Sequence, residues 1–134
     1  MNRKKSITFR LVLTVTVIFI LVFSLSLWLQ IKTYQDAEKL SEALKDMHML
    51  VREEKYDQAL ETYDDLRELW NGHKDHWYYY LNHTLIKEVD LCVARLGAYM
   101  ENEQYTDAIA EEAALLRLLH EIKNRDLPLL HNMV

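Results

Sequence analysis

The hydrophobic positions of this chain fall into one unbroken apolar segment followed by several amphipathic stretches. Residues 11–29, LVLTVTVIFILVFSLSLWL, contain no charged side chain. About 20 such residues are enough for an α-helix to cross the hydrocarbon core of a bilayer. We therefore predict a transmembrane helix over residues 11–31.

Basic residues flank this segment unequally. Arg3, Lys4, Lys5 and Arg10 precede it, whereas only Lys32 follows closely. The positive-inside rule then keeps residues 1–10 in the cytoplasm and places residues 32–134 outside the cell membrane. The predicted protein is single-pass, with an uncleaved signal-anchor.

A cleaved signal peptide is the competing interpretation of the same segment. Ser24 and Ser26 are small residues that would precede a cut at Leu27. The apolar core of a signal peptide usually spans about 7 to 15 residues. The run here is longer and continues past Leu27 without a helix breaker, which favours the anchor.

Beyond the apolar segment, the spacing of apolar residues predicts helices. Steps of three and four residues place one apolar stripe on each helix. Glycine and proline are scarce, with two glycines and one proline in 134 residues, so folds built from β-hairpins or β-sandwiches are disfavoured. Two such stripes are Ala37, Leu40, Leu44, Met47, Val51 and Leu81, Leu85, Val89, Cys92, Leu96, Tyr99.

A helical hairpin occurs twice. Residues 54–70, EKYDQALETYDDLRELW, align with residues 103–119, EQYTDAIAEEAALLRLL. The two segments are 49 residues apart, so that Tyr56 aligns with Tyr105. The polar turns, 52–55 and 101–104, are short enough to make the helices of each hairpin antiparallel. The hairpins resemble tetratricopeptide repeats, although the period is longer than their 34 residues. We predict an all-α, four-helix bundle built from hairpins at about 34–71 and 75–125, with the apolar tail 126–134 folded back on it.

The stretch WNGHKDHWYYYLNH (70–83) lies between the hairpins and allows three interpretations. As a structural joint, Gly72 would end one helix in a left-handed conformation and Asp75 would cap the next. Trp70 and Trp77 would then wedge the hairpins together. This joint is the favoured interpretation.

The second interpretation is a metal site, and the third is a recognition surface. His76 and His83 lie about 10 Å apart by helical rise, too far to share one zinc ion unaided, and His73 meets His76 only in an intact helix. Three consecutive tyrosines cannot all face inward from one helix, so at least one faces outward or toward the membrane, which would suit a contact surface. Its candidate residues are Trp70, His76, Trp77, Tyr78, Tyr79 and His83.

Charge and motifs narrow the function. All twenty-one acidic residues but only eleven of the sixteen basic ones follow Lys32, which gives that part a charge of about −10. This excess disfavours nucleic acid and anionic lipid as partners, and leaves cationic partners or ions open. No catalytic or cofactor motif occurs, so we expect neither an enzyme nor a cofactor. His48 and His120 are expected at the edge of the core, and Cys92 inside it.

The anchor, the paired tryptophans, His83 and the segment EVDLCVARLGAYMENEQYTDAIAEEAALLRLLHEI (88–122) together resemble the bacterial family catalogued as domain of unknown function 4363. The resemblance covers nearly the whole chain and implies an N-terminal anchor before a helical domain. Trp77, His83 and residues 94–96 match the family pattern. Leu85 and Lys87 stand where the family suggests acidic residues, which weakens the case for a histidine–carboxylate site there.

Two functions follow from these observations. The first is a membrane-anchored, extracytoplasmic module that binds or positions another membrane protein. The second is a sensor or carrier that binds a small ligand or metal within residues 70–83. The oligomeric state does not follow from the sequence.

Overall fold

The computed structural model describes residues 2–125, which form helices joined by short turns. Four α-helices follow one another: α1 (Asn2–Arg52), α2 (Tyr56–Trp77), α3 (His83–Glu101) and α4 (Tyr105–Arg125). Within residues 2–125 no strand occurs. The predicted all-α class is confirmed, as is a bundle that follows a long apolar helix. The predicted fold-back of residues 126–134 lies outside the described residues.

The chain divides into two units, Met1–Lys32 and Thr33–Val134. In the first, most apolar side chains are exposed, and among the described helices only α1 is long and apolar enough to cross a membrane. Thr14 and Thr16 donate their hydroxyl hydrogens to the carbonyls of Arg10 and Val12, each at 2.8 Å. Because these hydroxyls are satisfied within the helix, they suit an apolar surrounding. This segment is a candidate membrane anchor or signal sequence.

In the second unit, the C-terminal part of α1 packs with α2, α3 and α4 around one core. The buried residues recur every three or four positions, as the sequence predicts. Burying one large apolar side chain contributes about 1.5–3 kcal/mol, so these stripes stabilise the unit substantially. Cys92 is buried, as predicted. The core includes Leu40, Leu44 and Met47 of α1, Leu66 and Trp70 of α2, Val89, Cys92 and Leu96 of α3, and Leu115, Leu119 and Ile122 of α4.

The turns within the two hairpins have the same backbone geometry. Glu54 and Glu103 adopt left-handed conformations, with φ of 60° and 57°. The next residue in each turn, Lys55 or Gln104, donates its N–H to the last turn of the preceding helix at 2.9 and 2.8 Å. Since the two glutamates are separated by the 49 residues of the sequence repeat, the repeat is one of backbone structure as well.

The predicted end of α2 at Gly72 is wrong. α2 continues to Trp77, and Gly72 has no positive φ. Asp75 therefore lies inside α2 and caps no helix. The cap of α3 is Asn82, whose side chain accepts the N–H of Thr84 at 2.8 Å. A single glycine costs a helix only about 1 kcal/mol relative to alanine, and the buried contacts of Trp77 outweigh that loss.

Candidate functional site

Trp70 and Trp77 are core residues of the joint between the hairpins. Each is 1% exposed, and their rings meet edge to face with centroids 5.9 Å apart. The indole N–H of Trp70 donates to Oδ1 of Asp90 on α3 at 2.7 Å. This bond joins the first hairpin to the second, as the structural interpretation of the stretch predicts. Neither tryptophan belongs to an exposed surface.

His73 extends the joint toward α1. Its ring stacks on Trp77 at a centroid distance of 5.8 Å, and its Nδ1 lies 3.4 Å from Oδ2 of Asp36. Asp36 is buried, with 4% of the residue exposed. Both contacts of His73 are therefore with residues of the first hairpin, and its stacking on Trp77 and its approach to Asp36 give it a structural role.

The three tyrosines form the turn between α2 and α3, which we call the aromatic turn (Tyr78, Tyr79 and Tyr80). Their exposed fractions are 41%, 88% and 42%. Tyr78 stacks on His83 with centroids 4.0 Å apart. The turn is held to the end of α2 by backbone bonds, including those from Tyr79 and Tyr80 at 3.2 Å each. Its aromatic side chains thus project from an ordered backbone.

The six candidate surface residues accordingly separate into two groups. Tyr78, Tyr79 and His83 lie together at the aromatic turn, and His76 is exposed one turn before it. Trp70 and Trp77 lie beneath the surface. Within residues 2–125, no group of three or more His, Cys, Asp or Glu side chains is arranged to hold a metal ion.

A second site, which the sequence did not predict, lies between α1 and α4. His48 Nδ1 and Glu112 Oε2 are 2.6 Å apart, and Glu112 is 3% exposed. Burial raises the pKa of the Glu112 carboxyl, and the contact with His48 opposes that shift only in part. The other carboxyl oxygen, Oε1, has no hydrogen-bond partner among the described residues. An unpaired buried acceptor costs about 1–3 kcal/mol, so this arrangement is unfavourable for folding by itself.

The same two residues line a pocket of about 370 Å³. Apart from them and Lys45, the lining side chains are apolar. Such a pocket is near the lower limit of those that hold small ligands, about 300–1,000 Å³, and has the usual combination of apolar walls with few polar groups. We call it the His48–Glu112 pocket; its other lining residues are Leu44, Lys45, Met49, Ile109, Ala113 and Leu116.

The prediction for His48 is confirmed, since it lies half-buried at the edge of the core. The prediction for His120 is wrong: this residue is exposed, and its Nε2 lies 2.7 Å from Nδ2 of Asn124. Glu112 was missed because it follows Glu111 in a pair that resembles a solvated surface. One signal identifies it. It falls on the core stripe of α4, between Ala108 and Leu115.

Comparison with known proteins adds one result. A family model described as domain of unknown function (DUF4363) matches residues 27–133. No curated protein and no solved structure matches the chain. The matched range contains the helical unit with the aromatic turn and the His48–Glu112 pocket.

Proposed function

We propose that this chain, which belongs to the DUF4363 family of unknown function, is a single-pass membrane protein whose extracytoplasmic helical unit binds a neighbouring membrane protein through the aromatic turn. In this proposal it is a non-enzymatic binding or positioning module. The observation that carries the proposal is the 88% exposure of Tyr79 within an ordered turn.

The apolar N-terminal helix supports the membrane anchor. It is unburied throughout its most apolar window, and its basic flank precedes it. The acidic helical unit is then expected on the outer side, since translocation is disfavoured mainly for segments rich in Lys and Arg.

The aromatic turn has the properties of a contact surface. Tyrosine is enriched in protein interfaces because its ring adds contact area at a low cost in side-chain entropy. The stacking of Tyr78 on His83 at 4.0 Å holds one side of the turn in place before any partner binds. A preordered surface loses less entropy on binding.

The position of the turn favours a partner in the membrane. The hydroxyl groups of Tyr80 and Thr33 lie 3.1 Å apart. Only Lys32 separates Thr33 from the end of the predicted transmembrane segment, and one residue spans at most about 3.6 Å. The aromatic turn therefore lies near the point where the chain meets the membrane in this proposal, a depth at which tyrosine is favoured.

The alternative, a ligand or metal sensor built on residues 70–83, has less support. The two tryptophans pack against each other and the core. His73 stacks on Trp77 and faces Asp36, and His83 stacks on Tyr78. These contacts place the two tryptophans and His73 inside the packed joint, so among the tryptophans and histidines of this alternative only His76 and His83 are exposed.

Photocrosslinking in native membranes tests the proposal. p-Benzoylphenylalanine would replace Tyr79 in the full-length chain, and a control chain would carry it at Leu91, an apolar residue of α3 that is 53% exposed. We expect a discrete crosslinked membrane protein from position 79 and none from position 91. Coexpressed wild-type chain should compete for that partner, whereas a Tyr79→Ala chain should compete less and Tyr79→Phe nearly as well. Equal crosslinking from both positions, or crosslinks to lipid alone, would contradict the proposal.

A further inference from the structure

The seam between α1 and α4 leaves apolar side chains partly exposed. Met49 of α1 lines the His48–Glu112 pocket there and is 59% exposed. Three residues of α4, spaced by four and three positions, line the same pocket: Ile109, Ala113 and Leu116. Because contact between apolar surface and water is unfavourable, an apolar segment that covers this face would be stabilised there.

The same face of α4 continues along α1 to the end of the helix. Lys123 follows Leu116 by seven residues, about two turns. Its Nζ lies 2.7 Å from Oε2 of Glu38 on α1. Leu127 comes four residues after Lys123 and is followed by Pro128. Since the residue before a proline avoids the helical conformation, the sequence predicts that the chain leaves α4 beside this seam.

The apolar tail carries an apolar stripe of its own. Leu127, Leu130 and Met133 are spaced three residues apart, which is the period of a polyproline II helix. Pro128 and the residue before it both favour that conformation. In it, the three apolar side chains would share one side of the segment and Asn132 would lie off that side. The tail therefore has an apolar edge that matches the apolar seam.

The two stripes also agree in length. Measured back from Arg125 along α4, Leu116 lies about 14 Å away and Ile109 about 24 Å, at about 1.5 Å per residue. A polyproline II segment that runs back from Arg125 rises about 3.1 Å per residue, which takes Leu130 about 16 Å and Met133 about 25 Å. Leu130 thus reaches the level of Leu116, and Met133 reaches the level of Ile109.

Volume and connection favour the tail as the occupant. An apolar cavity of about 150 Å³ holds one benzene molecule, so the pocket volume of about 370 Å³ suits a leucine side chain with a methionine beside it. A segment joined by a short link has an effective concentration in the millimolar range, which favours it over a separate partner. The range matched by the family model, 27–133, includes the whole stripe of the tail.

We propose that the apolar tail docks in an extended conformation along the seam between α1 and α4. Leu130 then enters the His48–Glu112 pocket and Met133 packs beside Ile109. In this arrangement the tail holds α4 to α1 and covers the contact between His48 and Glu112.

Disulfide trapping in the full-length chain, purified in lipid nanodiscs, tests the docking. In a Cys92→Ala background, one chain carries Ala113→Cys with Leu130→Cys, and a matched chain carries Ala114→Cys with Leu130→Cys. Both alanines are exposed on α4, but of the two only Ala113 lines the pocket. Since a disulfide requires Cα atoms within about 7 Å, the first pair should close at least about fivefold faster than the second.

Closure is followed by the loss of maleimide-reactive thiols, and non-reducing electrophoresis separates disulfides within one chain from those between chains. Equal rates for the two pairs would show that the tail samples the surface without docking. Disulfides mainly between chains would assign the pocket to a second copy of the chain. Either result, or the absence of any disulfide, would overturn the proposal.

Methionine NMR gives a second test that needs no cysteine. With methyl-¹³C methionine, Leu130→Ser should shift the signal of Met49, which lines the pocket, and leave that of the buried Met47 nearly unchanged. Leu129→Ser makes the same change outside the predicted stripe and should move the Met49 signal much less. An unmoved Met49 signal in Leu130→Ser, or equal shifts in the two variants, would also overturn the docking. Neither test involves Tyr79, so failure here leaves the proposed function standing.

Discussion

Tyr56 and Tyr105, which occupy the same position in the two hairpins, stack face to face with ring centroids 3.8 Å apart and planes inclined by 7°. A residue that contacts its own repeat counterpart marks the place where an approximate twofold axis passes between the hairpins. The same exchange relates the His48–Glu112 contact to the Gly97–Tyr63 contact. The unit is therefore an internal pseudo-dimer of hairpins.

The tyrosine stack should contribute measurable coupling. We expect a double-mutant cycle of Tyr56→Leu and Tyr105→Leu, measured by urea unfolding of the full chain in detergent, to give about 0.5–1.5 kcal/mol. A control cycle pairs Tyr56→Leu with Tyr34→Leu, because Tyr34 lies about five helical turns before the end of α1 and hence far from the turn that leads to Tyr56. If the losses of unfolding free energy are additive in both cycles, the two rings stabilise the unit only through the surface area that each one buries.

The left-handed glutamates should respond to glycine. A non-glycine residue in this conformation costs about 1–2 kcal/mol, part of which glycine loses again through the entropy of the unfolded chain. We expect Glu54→Gly and Glu103→Gly each to stabilise the unit by about 0.5–1 kcal/mol in thermal or urea unfolding. Glu53→Gly, in the same turn but without a positive φ, is the matched control and should not stabilise. A loss of stability at both test positions would contradict this account.

The sequence predicted the helical class and the repeat because both depend on periodic burial, which a pattern of apolar residues records directly. It misplaced the end of α2 because Gly72 is a local signal, whereas Trp77 is buried in a core to which all four helices contribute. It missed Glu112 for a similar reason. That residue occupies a core position of α4, and only its contact with His48 on α1, 64 residues away, explains why a carboxyl group is there.

Substituting a buried or an exposed aromatic residue within residues 70–83 should change the stability of the protein by very different amounts. Trp77→Ala removes a large, fully packed side chain and should cost about 3–5 kcal/mol. Tyr79→Ala, at 88% exposure, should change stability by less than about 0.5 kcal/mol. Unfolding midpoints of the two variants, with circular dichroism to verify helix content, give the comparison. A costly Tyr79→Ala would mean that the aromatic turn is structural.

The membrane topology predicts a labelling pattern. In a Cys92→Ala background, a cysteine introduced by Glu68→Cys on exposed α2 should react in intact cells with a membrane-impermeant maleimide. The matched Ser6→Cys chain should react only after permeabilisation. Both labelled products should retain the mass of the full chain. A product lacking about 26 residues would identify a cleaved signal sequence, since the candidate cut precedes Leu27.

Stability should depend on pH through Glu112. Burial raises its carboxyl pKa above the ordinary value of 4.5, so the folded state holds this proton more tightly than the unfolded chain does. The folded state is thus favoured while the carboxyl is protonated, and stability from this group falls as pH rises from about 4.5 through the raised pKa. Glu112→Gln stays neutral and should escape that fall.

Urea midpoints of the wild-type chain and Glu112→Gln, measured from pH 4 to pH 8, should therefore be similar at the acidic end and diverge in favour of the variant as pH rises. Glu68→Gln, on the exposed face of α2, controls for the loss of one negative charge. His48 contacts the same carboxyl and stabilises its ionised form. In the His48→Ala chain, stability should therefore fall further with rising pH than it does in the wild-type chain. Parallel pH profiles for all four chains would show that Glu112 is not held in the environment described here.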